Sequence, residues 1–191
     1  LEDENQTVDA FWEKYCNLLE KDIYYDKYPV RQSFKKYFDK KKVAETLSLE
    51  IVATDAEKRK KIETCLNKSD VGFSKNDTGF VFQIEPEDKL FVVLLGSQAS
   101  KATYDYVSSY ISFVKKYGKD TRYFLFVFSD ASLEKSSPFQ KIVSLIETEE
   151  NYPKNLIIVP MPFHKDDVIA PLFARSDVTI SRSGGHTLME L

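Results

Sequence analysis

The chain has 191 residues, 42% of them hydrophobic and 14% aromatic, which predicts a globular protein of one domain, or one domain with an appendage, rather than a disordered chain. Its formal net charge of −3 excludes the strongly basic surface that nucleic-acid binding requires. Two distant cysteines without a CxxC motif and two histidines support neither a disulfide framework nor a metal site, and no apolar run has the length of a transmembrane helix.

Two amphipathic helices are predicted before residue 45. The first covers residues 8–23, where apolar residues recur with helical spacing, and its apolar stripe needs a partner surface inside this chain or beyond it. The second follows Pro29, which presets φ for a helix start. Arg31 near that start is either a solvated surface residue or a ligand for an anion, and the sequence alone favours the surface residue.

The next segment is mostly charged. Residues 54–66 predict a helix with a thin apolar edge, residues 67–79 a loop, residues 80–84 a strand and residues 85–88 a turn. We therefore expect residues 1–88 to form a helical N-terminal segment or linker with a short strand.

From Lys89 onward, apolar runs alternate with amphipathic segments. Strands are predicted for residues 90–95, 123–128, 156–159 and 178–180. Helices are predicted between them, one ending at Gly118 and the last interrupted by Pro171. This alternation predicts an α/β fold over residues 89–191, with a Rossmann-like parallel sheet and helices on both faces.

Three predicted loops leave the carboxyl ends of these strands, where such sheets bind ligands: 96–100, 160–166 and 181–187. The last leads through Gly184 and Gly185 into the start of a helix. A helix N-terminus presents free N–H groups to a phosphate, and Glu190 in the first turn can accept hydrogen bonds from ligand hydroxyls. Most such turns bind nothing, so this pattern alone leaves both interpretations open.

Four segments carry short motifs: YPVR at 28–31, LLGSQAS at 94–100, FHKDD at 163–167 and ARSDVTISRSGGHTLMEL at 174–191. In this order they resemble the Asn-Pro-Val-Arg segment, the GGSQGA loop, the Phe-Ile-x-Asp-Met base-binding loop and the donor-site signature of one family. That family transfers N-acetylglucosamine from UDP to lipid-linked muramyl-pentapeptide in bacteria. The resemblance extends from about residue 28 to the end of the chain, but residues 1–27 and 54–66 have no counterpart.

The resemblance implies a GT-B arrangement of two facing Rossmann-like domains, and this chain is similar to the C-terminal, donor-binding half. The residues that it implies in UDP-sugar binding are Arg31, Ser97, Phe163, His164, Gly185, His186, Thr187 and Glu190. Arg31 and Ser97 would contact the diphosphate, and Glu190 would bind the ribose hydroxyls. His164 would hold the uracil through its main chain, beside Phe163.

The resemblance also implies a donor site without a metal or another cofactor. Residues 185–187 would direct N–H and hydroxyl donors at the phosphates and the sugar, which stabilises the charge that develops on a departing UDP. No Asp-x-Asp follows a predicted strand to hold a divalent ion. No catalytic residue is assigned, because the family's acceptor domain and its general base have no counterpart here.

The chain departs from the family pattern at several positions. Leu95 and Ala99 replace two glycines of the GGSQGA loop, which allows the backbone to approach a ligand less closely. Tyr28 replaces an asparagine, and His186 stands where the family often has a small or aliphatic residue. Pro171 is expected to break an alanine-rich helix of the family.

Two functions remain open. The first is the donor-binding part of a hexosyltransferase that works with an N-terminal acceptor domain or a partner subunit, in the cytoplasm or peripheral to a membrane that carries a lipid-linked acceptor. The second is a non-catalytic binding or scaffolding module, which the Lys-, Phe- and Tyr-rich N-terminal segment slightly favours. Because the sequence starts at Leu1 and stops in the first turn of a predicted helix, we expect a fragment of a longer protein that transfers no sugar alone.

An NAD-binding domain is a weaker alternative. No G-x-G-x-x-G motif follows a predicted strand, and no acidic residue ends the next one.

Overall fold

The computed structural model describes residues 45–95, 100–118, 120–130, 132–162 and 164–181. The strands are β1 (Leu47–Val52), β2 (Ser74–Lys75), β3 (Gly79–Ile84), β4 (Lys89–Leu94), β5 (Tyr123–Phe128), β6 (Leu156–Met161) and β7 (Val178–Ser181). The helices are α1 (Ala56–Leu66), α2 (Ser100–Tyr117), α3 (Pro138–Thr148) and α4 (Asp166–Arg175). The helices predicted before residue 45 and at the end of the chain lie outside the described residues.

Four parallel strands form a sheet in the order β6-β5-β4-β7. This confirms the α/β prediction of a parallel sheet flanked by helices, and the order is compatible with a Rossmann-like fold. Strand β6 is at the edge of this sheet, yet all of its residues are buried. Helix α1 packs against it with Ile62, Cys65 and Leu66 buried, which protects an edge that would otherwise be open to pairing.

The helices lie on both faces of the parallel sheet. Helix α2 contacts α3, and its Tyr110 packs on Phe91 of β4 with ring centroids 4.6 Å apart. Helix α4 connects β6 back across the sheet to β7, in the direction opposite to the earlier crossovers. Since crossovers are right-handed, α4 lies on the other face, where it contacts β4 and β1.

A second sheet, antiparallel with the order β1-β3-β2, was missed by the sequence analysis except for β3. Strand β1 pairs with β3 along its length, from Leu47 opposite Ile84 to Val52 opposite Gly79. Leu49 and Ile51 are buried while the residues between them are exposed, the alternation of a strand with one face on a core. Strand β2 lies within the predicted loop at 67–79.

The two sheets share a hydrophobic core. Phe82 of β3 and Phe126 of β5 are both fully buried and meet edge to face, with ring centroids 5.6 Å apart. Buried apolar side chains on both sides of the expected boundary at residues 88 and 89 belong to one cluster. The division into segments 1–88 and 89–191 stays a prediction.

Of the two residues expected to end or break a helix, Gly118 acts as predicted and Pro171 does not. The prediction that Pro171 breaks its helix is wrong, because α4 continues through it to Arg175. Pro171 is the sixth of the ten residues of α4, and because proline has no N–H, the carbonyl of Asp167, an exposed residue of the first turn, lacks its helical partner. Gly118 does follow the end of α2, and there a Cβ atom would lie 2.5 Å from the carbonyl oxygen of Val114.

A polar network fastens the amino end of the parallel sheet. The main-chain N–H of Asp177 donates to the carbonyl of Leu90, and its carboxylate accepts from the N–H of Leu90, each at 2.8 Å. The buried Arg175 donates through Nη2 to the carbonyls of Glu85 and Pro86, both at 2.8 Å. These bonds hold the α4–β7 connection against the turn that precedes β4.

Phe82→Ala is expected to lower the free energy of unfolding by about 3–5 kcal/mol, because it removes a buried ring and leaves a cavity between the sheets. Urea unfolding followed by circular dichroism measures this change. Phe113→Ala is the matched control, since Phe113 is 43% exposed, and it should cost about 1 kcal/mol or less. Equal losses in the two variants would contradict the shared core.

Cys65 is expected to resist thiol reagents in the folded protein. Burial raises the pKa of its thiol to about 12, so at about pH 8 roughly one thiol in ten thousand is ionised. A Cys16→Ser variant isolates Cys65, and a chromogenic disulfide reagent should label it only after guanidinium is added. Rapid labelling of the native variant would contradict the burial of this thiol.

The raised pKa of Cys65 also makes the free energy of unfolding depend on pH. The unfolded chain ionises Cys65 first as the pH rises, so its contribution to folding is complete below the ordinary cysteine pKa and declines as the pH rises from there toward about 12.

Candidate functional site

The carboxyl ends of the four parallel strands form one row. Leu94 of β4 pairs with Ser181 of β7 on one side and with Phe128 of β5 on the other, and Phe128 pairs with Met161 of β6. This confirms that the strands preceding the three predicted ligand loops end at the same edge. Adjacent strands are about 4.8 Å apart, so the ends of β4 and β6 are separated by roughly 10 Å.

The topological switch point of the sheet lies between β4 and β7. The chain passes from β4 to β5 to β6 in one direction and then returns to the other side of β4. Open α/β sheets bind ligands in the crevice at such a point, because the loops there diverge to opposite faces. The segments that follow β4 and β7 are the ones whose motifs resemble phosphate-binding loops.

Of the predicted site residues, the structure describes His164. Those that lie outside the described residues are Arg31, Ser97, Phe163, Gly185, His186, Thr187 and Glu190. Their roles stay predictions. The strands that lead into residues 97, 163 and 185–190 do end side by side, as the registers show.

The ring of His164 is engaged by the protein on both sides. Its Nδ1 lies 2.7 Å from the carbonyl oxygen of Pro162, and its Nε2 lies 3.3 Å from that of Val52, at the end of β1. The ring therefore links the loop after β6 to the antiparallel sheet. Because both ring nitrogens lie beside protein carbonyls, the predicted contact of His164 with a base would be made by its main chain, as the resemblance implies.

The N-terminus of α4 is unsuited to a phosphate. Asp166 and Asp167 occupy its first turn, and Lys165 at the N-cap position makes no side-chain capping bond. Carboxylates there offset the positive end of the helix dipole and repel an anion. Two carboxylates beside one lysine leave this helix start with a net negative formal charge, which disfavours a phosphate there.

Asp130 is a candidate that the sequence analysis missed. No acidic residue ends the strand after β4, since β5 ends at Phe128, but Asp130 lies two residues beyond that end. The signal was present in the sequence as Phe128-Ser129-Asp130, directly after an apolar run.

Groups of His, Cys, Asp and Glu able to hold a metal ion were sought among the described residues, and no group of three or more is found. In the same ranges, no helix combines the length and the apolar character needed to cross a membrane.

Comparison with protein-family models, curated proteins and solved structures finds no match for this chain.

His164→Ala is expected to lower the free energy of unfolding by about 1 kcal/mol, because the ring N–H loses its hydrogen bond to one of two carbonyls, that of Pro162 or that of Val52. Chemical unfolding at neutral pH measures the change. Lys165→Ala is the control on the adjacent exposed residue, which should change stability by about 0.5 kcal/mol or less. A neutral His164→Ala would show that the ring does not fasten β1 to the loop.

Proposed function

We propose that this chain is the donor-binding part of a UDP-sugar-dependent hexosyltransferase of GT-B type, with N-acetylglucosamine as the favoured sugar. The observation that carries the proposal is the row of strand ends: motifs far apart in the sequence follow neighbouring parallel strands at one edge. Their order along that edge also suits the ligand. The phosphate-type motifs follow β4 and β7 at the switch point, and the base-binding type motif follows β6.

The proposed chemistry is electrostatic. Ser97, Arg31 and the donors of residues 185–187 would hold the diphosphate and stabilise the negative charge that it gains as the sugar leaves. Glu190 would accept hydrogen bonds from ribose hydroxyls, and Phe163 and the main chain of His164 would hold the uracil. This binding mode uses no metal.

Transfer needs an acceptor site, which we place on a second domain or a partner subunit facing the donor site. UDP-sugars and lipid-linked acceptors would meet at the cytoplasmic surface of a membrane, so the proposed location is cytoplasmic and peripheral to that membrane.

A non-catalytic binding module is a second candidate, and one surface favours it. An apolar groove of about 270 Å³ lies between α2 and the exposed side of β7, lined by Phe91, Val93, Tyr106, Ser109, Tyr110, Phe113, Leu125, Val178 and Ile180. Val178 and Phe113 are each 43% exposed, and such apolar exposure is typical of interaction surfaces. A groove of this kind is also compatible with an enzyme, so it does not displace the first proposal.

The NAD-binding alternative gains an acidic residue in Asp130 but still lacks its glycines. Gly96 is the single glycine in the turn after β4, whereas dinucleotide binding uses three for the tight turn and for close approach of the pyrophosphate.

UDP or UDP-N-acetylglucosamine is expected to raise the melting temperature of the protein, and Glu190→Ala should abolish the shift. At a ligand concentration about 100 times Kd, binding adds about 2.7 kcal/mol, which corresponds to roughly 5–10 °C for a chain of this size. Differential scanning fluorimetry measures the shift at millimolar ligand.

Glu147→Ala is the matched control for this experiment. Glu147 is an exposed glutamate near the carboxyl end of α3, whereas the proposed site lies beyond the carboxyl ends of the strands, toward the start of that helix. This variant should keep the full shift. No shift in the unmodified protein would favour the binding-module function, and a shift with NAD but not with UDP would favour the dinucleotide alternative.

A further inference from the structure

Strand β7 and helix α2 form an apolar surface that the described residues leave uncovered. β7 is the last strand in the order β6-β5-β4-β7, and none of its four residues is buried. The opposite edge strand, β6, is buried throughout and contacts α1. The apolar groove of about 270 Å³ lies between β7 and α2, and we call it the α2–β7 groove.

Helix α2 contributes a row of aromatic rings to this groove. The rings follow one another at steps of four, three and four residues: Tyr106, Tyr110, Phe113 and Tyr117. The first three line the groove, and Tyr117, which is 57% exposed, continues the row. The ring centroid of Phe113 lies 6.0 Å from that of Tyr110 and 5.5 Å from that of Tyr117. Steps of three and four residues keep side chains on one side of a helix, which is the pattern that a second helix packs against.

The amphipathic helix predicted at residues 8–23 has an apolar stripe that needs a partner surface. These residues lie outside the described ranges, but their sequence contains the same steps of four, three and four residues: Val8, Trp12, Tyr15 and Leu19. An amphipathic helix with bulky apolar anchors at such spacing is the usual occupant of an apolar groove on a protein surface.

The charges of the two elements are complementary. Residues 1–23 carry seven acidic and two basic side chains, whereas α2 carries three lysines and one aspartate. Of these lysines, Lys115 pairs with Glu149, and Lys116 lies 5.0 Å from the ring centroid of Tyr117, beside the aromatic row. A second copy of α2 on the groove would bring like charges together, which favours the acidic segment over a symmetric dimer.

The connection between the two elements is long enough for docking within one chain. Residues 24–46 separate the predicted helix from β1. With residues 30–43 helical and the others extended, this connection spans about 50 Å. A compact domain of this size has a radius of gyration of about 16 Å, so the groove lies within reach of β1.

We propose that residues 8–23 form a helix that docks in the α2–β7 groove of the same chain, with Trp12 as its central anchor. The helix covers the open edge at β7 as α1 covers the edge at β6. A groove that is filled from within the chain does not receive an outside partner. The surface that favours a separate binding module is then an internal interface.

A helix on one small groove can detach while the core stays folded. Its release therefore appears as exposure of Trp12 and contributes little to the free energy of global unfolding. Because Trp12 is the single tryptophan of the chain, tryptophan fluorescence reports on this segment directly.

Tryptophan emission and acrylamide quenching of the full chain test the proposal. In the unmodified protein the emission should be blue-shifted, and quenching should be severalfold weaker, relative to the protein unfolded in guanidinium. Phe113→Glu places a charge in the groove and should return both signals to the values of the unfolded protein, while circular dichroism stays that of a folded chain. Val178→Glu, on the β7 side of the groove, should do the same.

Tyr104→Glu is the matched control. Tyr104 is an exposed aromatic residue of the same helix, but the groove is lined by other residues of α2. This variant should keep the emission and the quenching of the unmodified protein.

The outcomes are distinct from those of the UDP experiment. A Trp12 that is as exposed in the unmodified protein as in guanidinium would overturn the docking. A shielded Trp12 that neither Phe113→Glu nor Val178→Glu exposes would also overturn it, because the segment would then pack elsewhere. Exposure that rises on dilution would replace docking within the chain by docking on a second copy. UDP binding enters none of these results, so the donor site and the docked helix stand or fall separately.

Discussion

The pair of hydrogen bonds between Asp177 and Leu90 is the constraint on which the predicted ligand edge depends, that is, the row formed by the carboxyl ends of β4, β5, β6 and β7. It fixes the start of β7 against β4, because the main chain and the side chain of Asp177 both bond to the main chain of the same residue. A slip of one residue would turn every side chain of β7 to the other face and displace Ser181 from Leu94. Within the segment 174–191 that resembles a donor-site signature, Asp177 thus has a structural role, at the amino end of the sheet.

The antiparallel sheet gives this edge its second support. Phe82 anchors that sheet on β5 within the core, and His164 joins the last residue of β1 to the loop after β6. The loop that would hold a base is consequently held from two directions. A charged helix, α1, closes the remaining side of β6, which explains how an edge strand is buried throughout.

Charge divides the ligand edge into two parts. Asp166 and Asp167 begin α4 beside β6, and Asp130 lies beyond β5. Negative side chains on this half disfavour phosphate, while the glycine-containing motifs follow β4 and β7 in the sequence, the two strands that flank the switch point. In the proposed donor site, a nucleoside diphosphate would have its charged end over β4 and β7 and its neutral end toward β6. The apolar groove beside β7 lies along α2 and is a separate surface.

The sequence by itself determined the parallel part of the fold. Runs such as Tyr123–Phe128 are apolar throughout, because a strand covered on both faces has no solvent side, and that signal is local. The same local reasoning missed β1, although its buried and exposed residues alternate. It also misjudged Pro171, because the effect of a proline depends on which carbonyl it leaves without a partner. Only the tertiary structure decided the strand order, the packing of Phe82 on Phe126 and the place of Asp130 between two ligand loops. These are contacts between residues far apart in the chain, and the periodicity of a single segment carries no information about its partners.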